Sequence, residues 1–416
     1  MRFGLGGLLV LATAAYLISV STKILLPSYT DIGFVYDLFV LPTNNGIPYL
    51  AYSAISSPSP TYTFVYPAIP AILIWLSGFG MPSKTLYLVR MAWFTYPFVL
   101  IAVYFLYRIC VELGVDRRRI VPFFILAPSF LVLSFYSWDI IATSLVVGAV
   151  YYALKKKNRL TGLCLGLGFA AKSYPLLLLP VFLKEAETWR SRLEMVLSMV
   201  AGGLIPNLPF MVIDFKGWFY TVAFPVGSAT GLGTSYSEDS IWSVILYYHL
   251  ISQRWMVTAV TWTLIILAIL YVTFSSNSFM LKLWLIEAAT VLIFPLYPPQ
   301  FNVWLLPLFV LNPVFPLLSF LAFDFLNVYI ALLCCSLFAV AVNAPFQAWG
   351  PIWDISLTRI VLLVILLIWA IRTGPPPIVR SSTSGIIQMS YRLRRHLARG
   401  QHATKDTVRR TCGSPS

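Results

Sequence analysis

Charge is scarce in this chain. Of its 416 residues, 59% are hydrophobic and only 11% are charged, against about 25% charged in an ordinary soluble domain. With a mean hydropathy of +0.82, it could not hide its apolar surface in one water-facing globule. Acids are the scarcer sign, 15 Asp and Glu against 29 Lys and Arg, for a net charge of +14. In a soluble protein that balance would point to nucleic acid. Here the basic residues fall in short loops and a C-terminal tail, as the positive-inside rule expects of a membrane protein, so no nucleic-acid partner is expected. Histidine is nearly absent: His249, His396 and His402, two of them in the tail, leave no metal cluster and no Ser-His-Asp order. The five cysteines show neither metal nor disulfide spacing and read as packing residues. Runs of alternating short strands are missing, which excludes a β-barrel and leaves helices to satisfy the backbone in lipid. No phosphate loop, dinucleotide fingerprint or internal repeat occurs, and the last absence counts against the two-halves plan of many transporters.

What is present is a succession of apolar runs of about 20 residues. It predicts an all-α, polytopic transmembrane helical bundle of roughly 10–12 spans over residues 1–372, followed by a basic cytoplasmic tail, 373–416. Arg2 and the apolar run after it read as a retained first span, delivering the loop Ser28–Pro67 to the outside. That loop is long, rich in tyrosine and poor in charge, so it is expected to be structured and functional. Leu86 to Leu113 then reaches Arg117-Arg118-Arg119, a triplet that belongs inside, whereas simple alternation puts it outside. Either one segment is re-entrant or short, or the triplet breaks the rule. Ile120–Tyr136 and Ile140–Leu154 read as two spans about the turn Ser137-Trp138-Asp139. Basic clusters flank Leu160–Leu183 on both sides. Two half-helices meeting at Lys172-Ser173-Tyr174-Pro175 would satisfy both, since proline disfavours helix at the residue before it. Further spans are expected near Ile241–Ile251, Met256–Phe274, Phe279–Leu296, Phe301–Ala322, Phe325–Val342 and Leu357–Ile371, and in the tail a basic helix lying on anionic lipid.

Few acids face outside. Asp31 is either a solvated loop residue or helix N-cap, or a general base at the membrane surface, and the aromatic loop with Tyr66-Pro67 beside it favours the base. Asp37 is the substitute. Asp139 and Glu238 read first as helix starts and second as cavity-lining acids. Trp138 fits an interfacial belt, with stacking on a sugar as the alternative. Lys172, a charge at membrane depth, is a functional candidate by default: it either snorkels to an interface or holds a phosphate. Gln300, opening a later span, could hydrogen-bond a hydroxylated substrate.

Several stretches together resemble the polytopic C-type glycosyltransferases that use a polyprenyl-phosphate sugar. These are Tyr29-Thr30-Asp31-Ile32, Gly46-Ile47-Pro48-Tyr49, Tyr66-Pro67, Gly114 with Arg117-Arg118, Ser137-Trp138-Asp139, Lys155-Lys156-Lys157 and Lys172-Ser173-Tyr174-Pro175, with weaker likeness at Pro299-Gln300-Phe301 and Trp304-Leu305-Leu306-Pro307. The chain is most similar to the polyprenol-phosphate-mannose-dependent mannosyltransferases of glycosyltransferase family 87 and to the mannosyltransferase that adds the first mannose of GPI anchors. The resemblance implies an acid in the first outside loop as catalytic centre, mapping to Asp31, and a Lys-x-Tyr-Pro element mapping to Lys172, Tyr174 and Pro175. It further implies a hexosyltransferase that moves a sugar, expected to be mannose, with inversion from polyprenyl or dolichyl phosphate to a lipid or glycan acceptor. The active site is expected on the outer face of a plasma membrane, with no cofactor. The GPI enzyme carries a second acid two residues after the first; here that position is Gly33, and a divalent metal is not supported. A transporter or flippase of lipid-linked sugars is the rival reading.

Overall fold

The computed structural model describes residues 4–25, 30–50, 66–219, 240–248, 254–338 and 351–373. These are helical with no strand among them, as the absence of alternating runs requires. Helix α1, Leu5–Leu25, leads to a short α2, Asp31–Val35, that continues as a π-turn through Val40. Then come α3, Ala68–Gly78, and α4, Lys84–Leu113. Ser83 caps α4 by accepting from the Leu86 amide, and Gly114 at φ +70° ends it, the left-handed turn that glycine adopts without Cβ strain.

The expected span Ile120–Tyr136 is not one helix. It is a 3₁₀ turn at Arg117–Arg119, a π-turn at Val121–Ile125 and a six-residue α5, Pro128–Leu133. Pro122 and Pro128 lack the amide protons a continuous helix needs. Then α6 spans Asp139–Leu154 and α7 Asn158–Ala171; α8 spans Pro175–Glu185 and α9 Trp189–Ile213. The anticipated break is present: Lys172 is extended at φ −159°, and Pro175 opens α8.

The remainder comprises α10, Ile241–Tyr247; α11, Arg254–Phe274; α12, Phe279–Ile293; α13, Asn302–Leu311; α14, Leu317–Phe338; and α15, Pro351–Thr373. The expected span from Phe301 is cut short, because Pro313 and Pro316 follow α13 directly. Among the described residues five helices are long and apolar enough to cross a bilayer, α1, α4, α9, α11 and α15, fewer than the roughly 10–12 spans predicted; most of the others are shorter, although α14 runs 22 residues. Glu238 and the basic tail from residue 374 lie outside the described residues.

Ion pairs fix which turns share an end of the bundle. Lys155 reaches Glu112 at 2.6 Å, Lys156 reaches Glu187 at 2.6 Å, and Arg159 reaches Glu194 at 3.2 Å. Exposed pairs of this kind add little stability. They do bring the turns at 112–119, 155–159 and 187–194 to one basic end. Arg119 joins that end to the core, donating to the carbonyls of Phe309, Val310 and Asn312 at the C-terminus of α13, where a cation complements the helix dipole. Of the options left by the Arg117–Arg119 triplet, the structure offers a short segment, α3. Its 11 residues rise about 16 Å, roughly half the hydrocarbon thickness.

Glycine sets the closest approach in the bundle. A Cβ on Gly162 would stand 2.0 Å from the Met195 carbonyl oxygen, and one on Gly166 would stand 2.1 Å from that of Met199. Backbones of α7 and α9 therefore touch along a small-xxx-small stripe, as membrane helices do. This contact anchors α7, whose far end carries Lys172.

Candidate active site

Opposite the basic end, the ends of α1, α6, α7 and α13 bring the predicted residues together. Thr30, not Asp31, is the N-cap of α2: its hydroxyl accepts from the Gly33 amide at 2.8 Å. Asp31 is thereby left free of the capping role and turns its carboxylate toward the cluster. The Gln300 side-chain amide donates to Asp31 Oδ2 at 3.2 Å, and the Ser137 hydroxyl also bonds this carboxyl. Asp31 is half-buried. Burial pushes its pKa from 3.8 up to about 6, with Lys172 pulling it down and Asp139 pushing it further up.

Asp139 and Lys172 form the second part. Lys172 Nζ lies 3.2 Å from Asp139 Oδ1, and the Trp304 indole N–H donates to the same oxygen at 2.6 Å. Asp139 is 1% exposed and the Lys172 side chain 27%, so the acid is the anchor and the ammonium keeps room for a ligand. An aromatic stack backs them. Trp304 lies between Tyr174, centroids 4.2 Å apart, and Phe301, 4.0 Å apart. The ammonium sits 5.2 Å from the Phe301 centroid and 5.8 Å from that of Trp304, a cation–π distance. Both faces of Trp304 are thus covered, leaving it to orient Asp139.

Tyr66 and Trp138 form the adjoining wall, edge to face at 4.6 Å. Tyr49 steadies it by donating to the Tyr66 carbonyl at 2.6 Å.

Several expectations are corrected here. Asp139 begins α6 but makes no capping hydrogen bond; the lysine and the indole take its oxygen instead. Trp138 is not an interfacial anchor, being 3% exposed with its indole N–H 3.3 Å from Met91 Sδ. Gln300 donates one amide N–H to Asp31. Asp37 lies outside the cluster, exposed and paired with Lys84 at 2.5 Å. At Gly33 a Cβ would come 2.9 Å from Thr30 Oγ1 and 3.3 Å from Lys84 Cε, so a side chain there would crowd the hydroxyl that caps α2. Among the described residues no three His, Cys, Asp or Glu side chains converge as metal ligands.

The model of glycosyltransferase family 87 matches residues 64–295, more than half of the chain. The chain belongs to glycosyltransferase family 87. Comparison with curated proteins gave no match. As a family 87 member this is a multi-pass membrane glycosyltransferase, which sets aside the transporter reading. The matched stretch holds Tyr66, Trp138, Asp139, Lys172 and Tyr174 but stops short of Asp31 on one side and of Gln300 on the other.

The residues missed from sequence are Ser137, Phe301 and Trp304, together with a buried polar group behind Gln300: Asp324, Asn327 and Arg359. A guanidinium within an expected span was a readable signal, since such charges are rare unless used.

Proposed function

We propose that this glycosyltransferase moves a hexose, mannose in the first instance, from a polyprenyl phosphate to a hydroxyl of a lipid or glycan acceptor with inversion. The observation that carries the reading is that one segment, 300–304, holds both acids of the cluster: Gln300 donates to Asp31, and Trp304 donates to Asp139, which pairs with Lys172. Asp31 suits a base, Lys172 an anion site.

In the transfer the acceptor oxygen attacks the anomeric carbon, and its proton passes to Asp31. The bond from that carbon to the phosphate oxygen breaks, and its electron pair leaves with the lipid phosphate. Lys172, held by Asp139, faces the growing negative charge, where a fixed cation in a water-poor site has most effect. A phosphate leaves without protonation, so one carboxylate suffices; a glycosidase acting on a sugar ether requires two. The same wall that excludes water, Tyr66 with Trp138, would protect the donor from hydrolysis.

The basic end of the bundle lies away from the cluster. By the positive-inside rule that end is cytoplasmic, which supports an active site on the outer face of the plasma membrane.

The test is transfer by the purified protein in detergent, with no membrane gradient, from polyprenyl-phosphate-mannose to an extracted lipid acceptor pool. Wild type is expected to transfer, and Asp31→Asn to lose about 10²–10⁴-fold while still inserting in membranes. Wild-type turnover in Asp31→Asn would refute the assignment of the base. Transfer from a nucleotide sugar but not from the lipid phosphate would refute the donor.

A further inference from the structure

The turn that presents Gln300 is gripped from behind by residues that belong neither to the cluster nor to the family match. Pro299–Phe301 is a single 3₁₀ turn, which has too few hydrogen bonds of its own to fix a side chain. Asn327 on α14 donates to the Pro299 carbonyl at 2.8 Å and to Ser129 Oγ at 3.0 Å. Its own oxygen accepts from Arg359 Nη1 on α15 at 2.6 Å. Arg359 also donates to the Tyr297 carbonyl at 2.9 Å, and its guanidinium lies 3.6 Å from the centre of the Tyr297 ring. Tyr297 in turn donates to Asn302 Oδ1 at 2.8 Å. Asn302 donates to Asp324, whose carboxyl is held by the Ser129 amide and hydroxyl. All these side chains are fully or almost fully buried.

Burying an asparagine and an arginine in an apolar bundle is costly unless each is bonded. Here their bonds converge on one target, the backbone from Tyr297 to Pro299. That segment leads directly into the two side chains that touch the site acids, Gln300 on Asp31 and Trp304 on Asp139. A hydrophobic pair of equal volume would pack α14 against α15 without holding those carbonyls.

We propose that Asn327 and Arg359 are positioning residues for the transfer reaction, bracing the 297–302 turn so that the Gln300 amide stays on the Asp31 carboxylate. This inference rests on Asp31 being the base. A donor hydrogen bond favours the ionised carboxylate, so slackening the turn must make Asp31 harder to ionise. The charges acting on Asp31 are Lys172 at the end of α7 and Asp139 at the start of α6; Ser137 adds a second hydrogen bond, and Lys84 on α4, nearest along α2, is taken by Asp37. Asn327 and Arg359 bond the Pro299 and Tyr297 carbonyls, so the turn is a route by which they act on Asp31.

The experiment is the pH profile of kcat/KM for the full chain in detergent with a polyprenyl-phosphate sugar. It compares wild type, Gln300→Ala, Asn327→Ala, Arg359→Lys and the double variant Gln300→Ala/Asn327→Ala. The position of the acid limb does not depend on how much of the protein is active, so partial misfolding does not mimic the effect. Gln300→Ala is expected to move the limb upward by about 0.5–1 pH unit, as loss of one hydrogen bond to a carboxylate would. Asn327→Ala should move it the same way by a comparable amount, and the double variant no further than Gln300→Ala alone, because residues acting through one contact are not additive. Arg359→Lys keeps the charge but loses the two-carbonyl reach; it reads the same device if Asn327→Ala gives no folded protein. A wild-type limb with uniformly lowered rate in the positioning variants overturns the proposal, as do additive limb shifts in the double variant. Turnover surviving in Asp31→Asn overturns the base and the proposal together; an active base with an unmoved limb in Asn327→Ala overturns the proposal alone.

Discussion

Asp31→Asn is predicted to leave a protein that is more stable and inactive at the same time. Asn keeps an oxygen to accept from Gln300 and fills the same volume, so the substitution removes mainly the charge. In the fold, burial raises the Asp31 pKa from 3.8 to about 6, outweighing the pull of Lys172. A raised value means that the fold prefers the protonated carboxyl. Its favourable contribution is complete below about 3.8 and is lost as pH rises through about 6. At pH 8 the ionised group therefore works against folding. Moving a carboxyl from 3.8 to about 6 corresponds to roughly 3 kcal/mol at most. Asp31 is only half-buried and solvent screens part of this, so about 1 kcal/mol is the expected gain for Asn. In thermal unfolding in detergent that is a rise of about 1–3 °C at pH 8, roughly half as large at pH 5 and gone below about pH 3.8. The activity of the wild type supplies the other half. With a base near 6, kcat/KM should be level above pH 7 and fall about tenfold per unit below pH 5.5. A less stable Asp31→Asn at pH 8, or a wild-type profile flat down to pH 4.5, would refute the reasoning.

Lys172→Met should strand the buried Asp139 carboxylate with Trp304 alone. The loss is expected at the low end of the ~3–5 kcal/mol typical of a broken buried pair, since Lys172 keeps some solvent. Lys172→Met/Asp139→Asn should regain much of that stability in thermal unfolding but no transfer; an active double variant would remove Lys172 from the mechanism. Gly166→Ala forces a methyl against the Met199 carbonyl oxygen, 2.1 Å away, and should cost about 1–3 kcal/mol, read as a lowered unfolding temperature. Gly6→Ala, where nothing lies within 4 Å, is the matched control and should be neutral.

Much of the scaffold was readable from the residues because lipid imposes few choices. Apolar runs had to be helices, and the proline after Lys172 had to interrupt one. The conflict over the Arg117–Arg119 triplet was legible as a conflict, and its resolution by a short α3 was among the options it left. What failed were boundaries that depend on proline inside apolar runs. Hydropathy continues across Pro122, Pro128 and Pro313, while the backbone hydrogen bonds do not. At the site, polarity against an apolar background picked out Asp31, Lys172 and Gln300. Their partners could not be read, because Gln300 meets Asp31 across 269 positions and Trp304 meets Asp139 across 165. A lone sequence carries no information on such pairings. The capping reading of Asp139 failed for a related reason: position at a helix start is local, and the lysine that takes its charge comes from the end of the next helix.

Family membership and geometry support different halves of the site. The matched stretch, 64–295, contains Asp139, Lys172 and Tyr174, the anchored ammonium and one face of its aromatic backing. Membership therefore bears on the anion-holding side. Asp31, Gln300 and Trp304 all lie outside that stretch, so the proposal that Asp31 is the base draws on geometry and not on membership. Two independent placements agree there. α2 follows α1 by a short linker, and Thr30 takes the capping role, which leaves Asp31 pointing inward. From the other end of the chain, α14 and α15 clamp the turn that brings an amide to the same carboxylate. Were Asp31 a solvated loop acid, neither the cap nor the clamp would have a target, and a buried arginine would be bound to a turn with nothing to present.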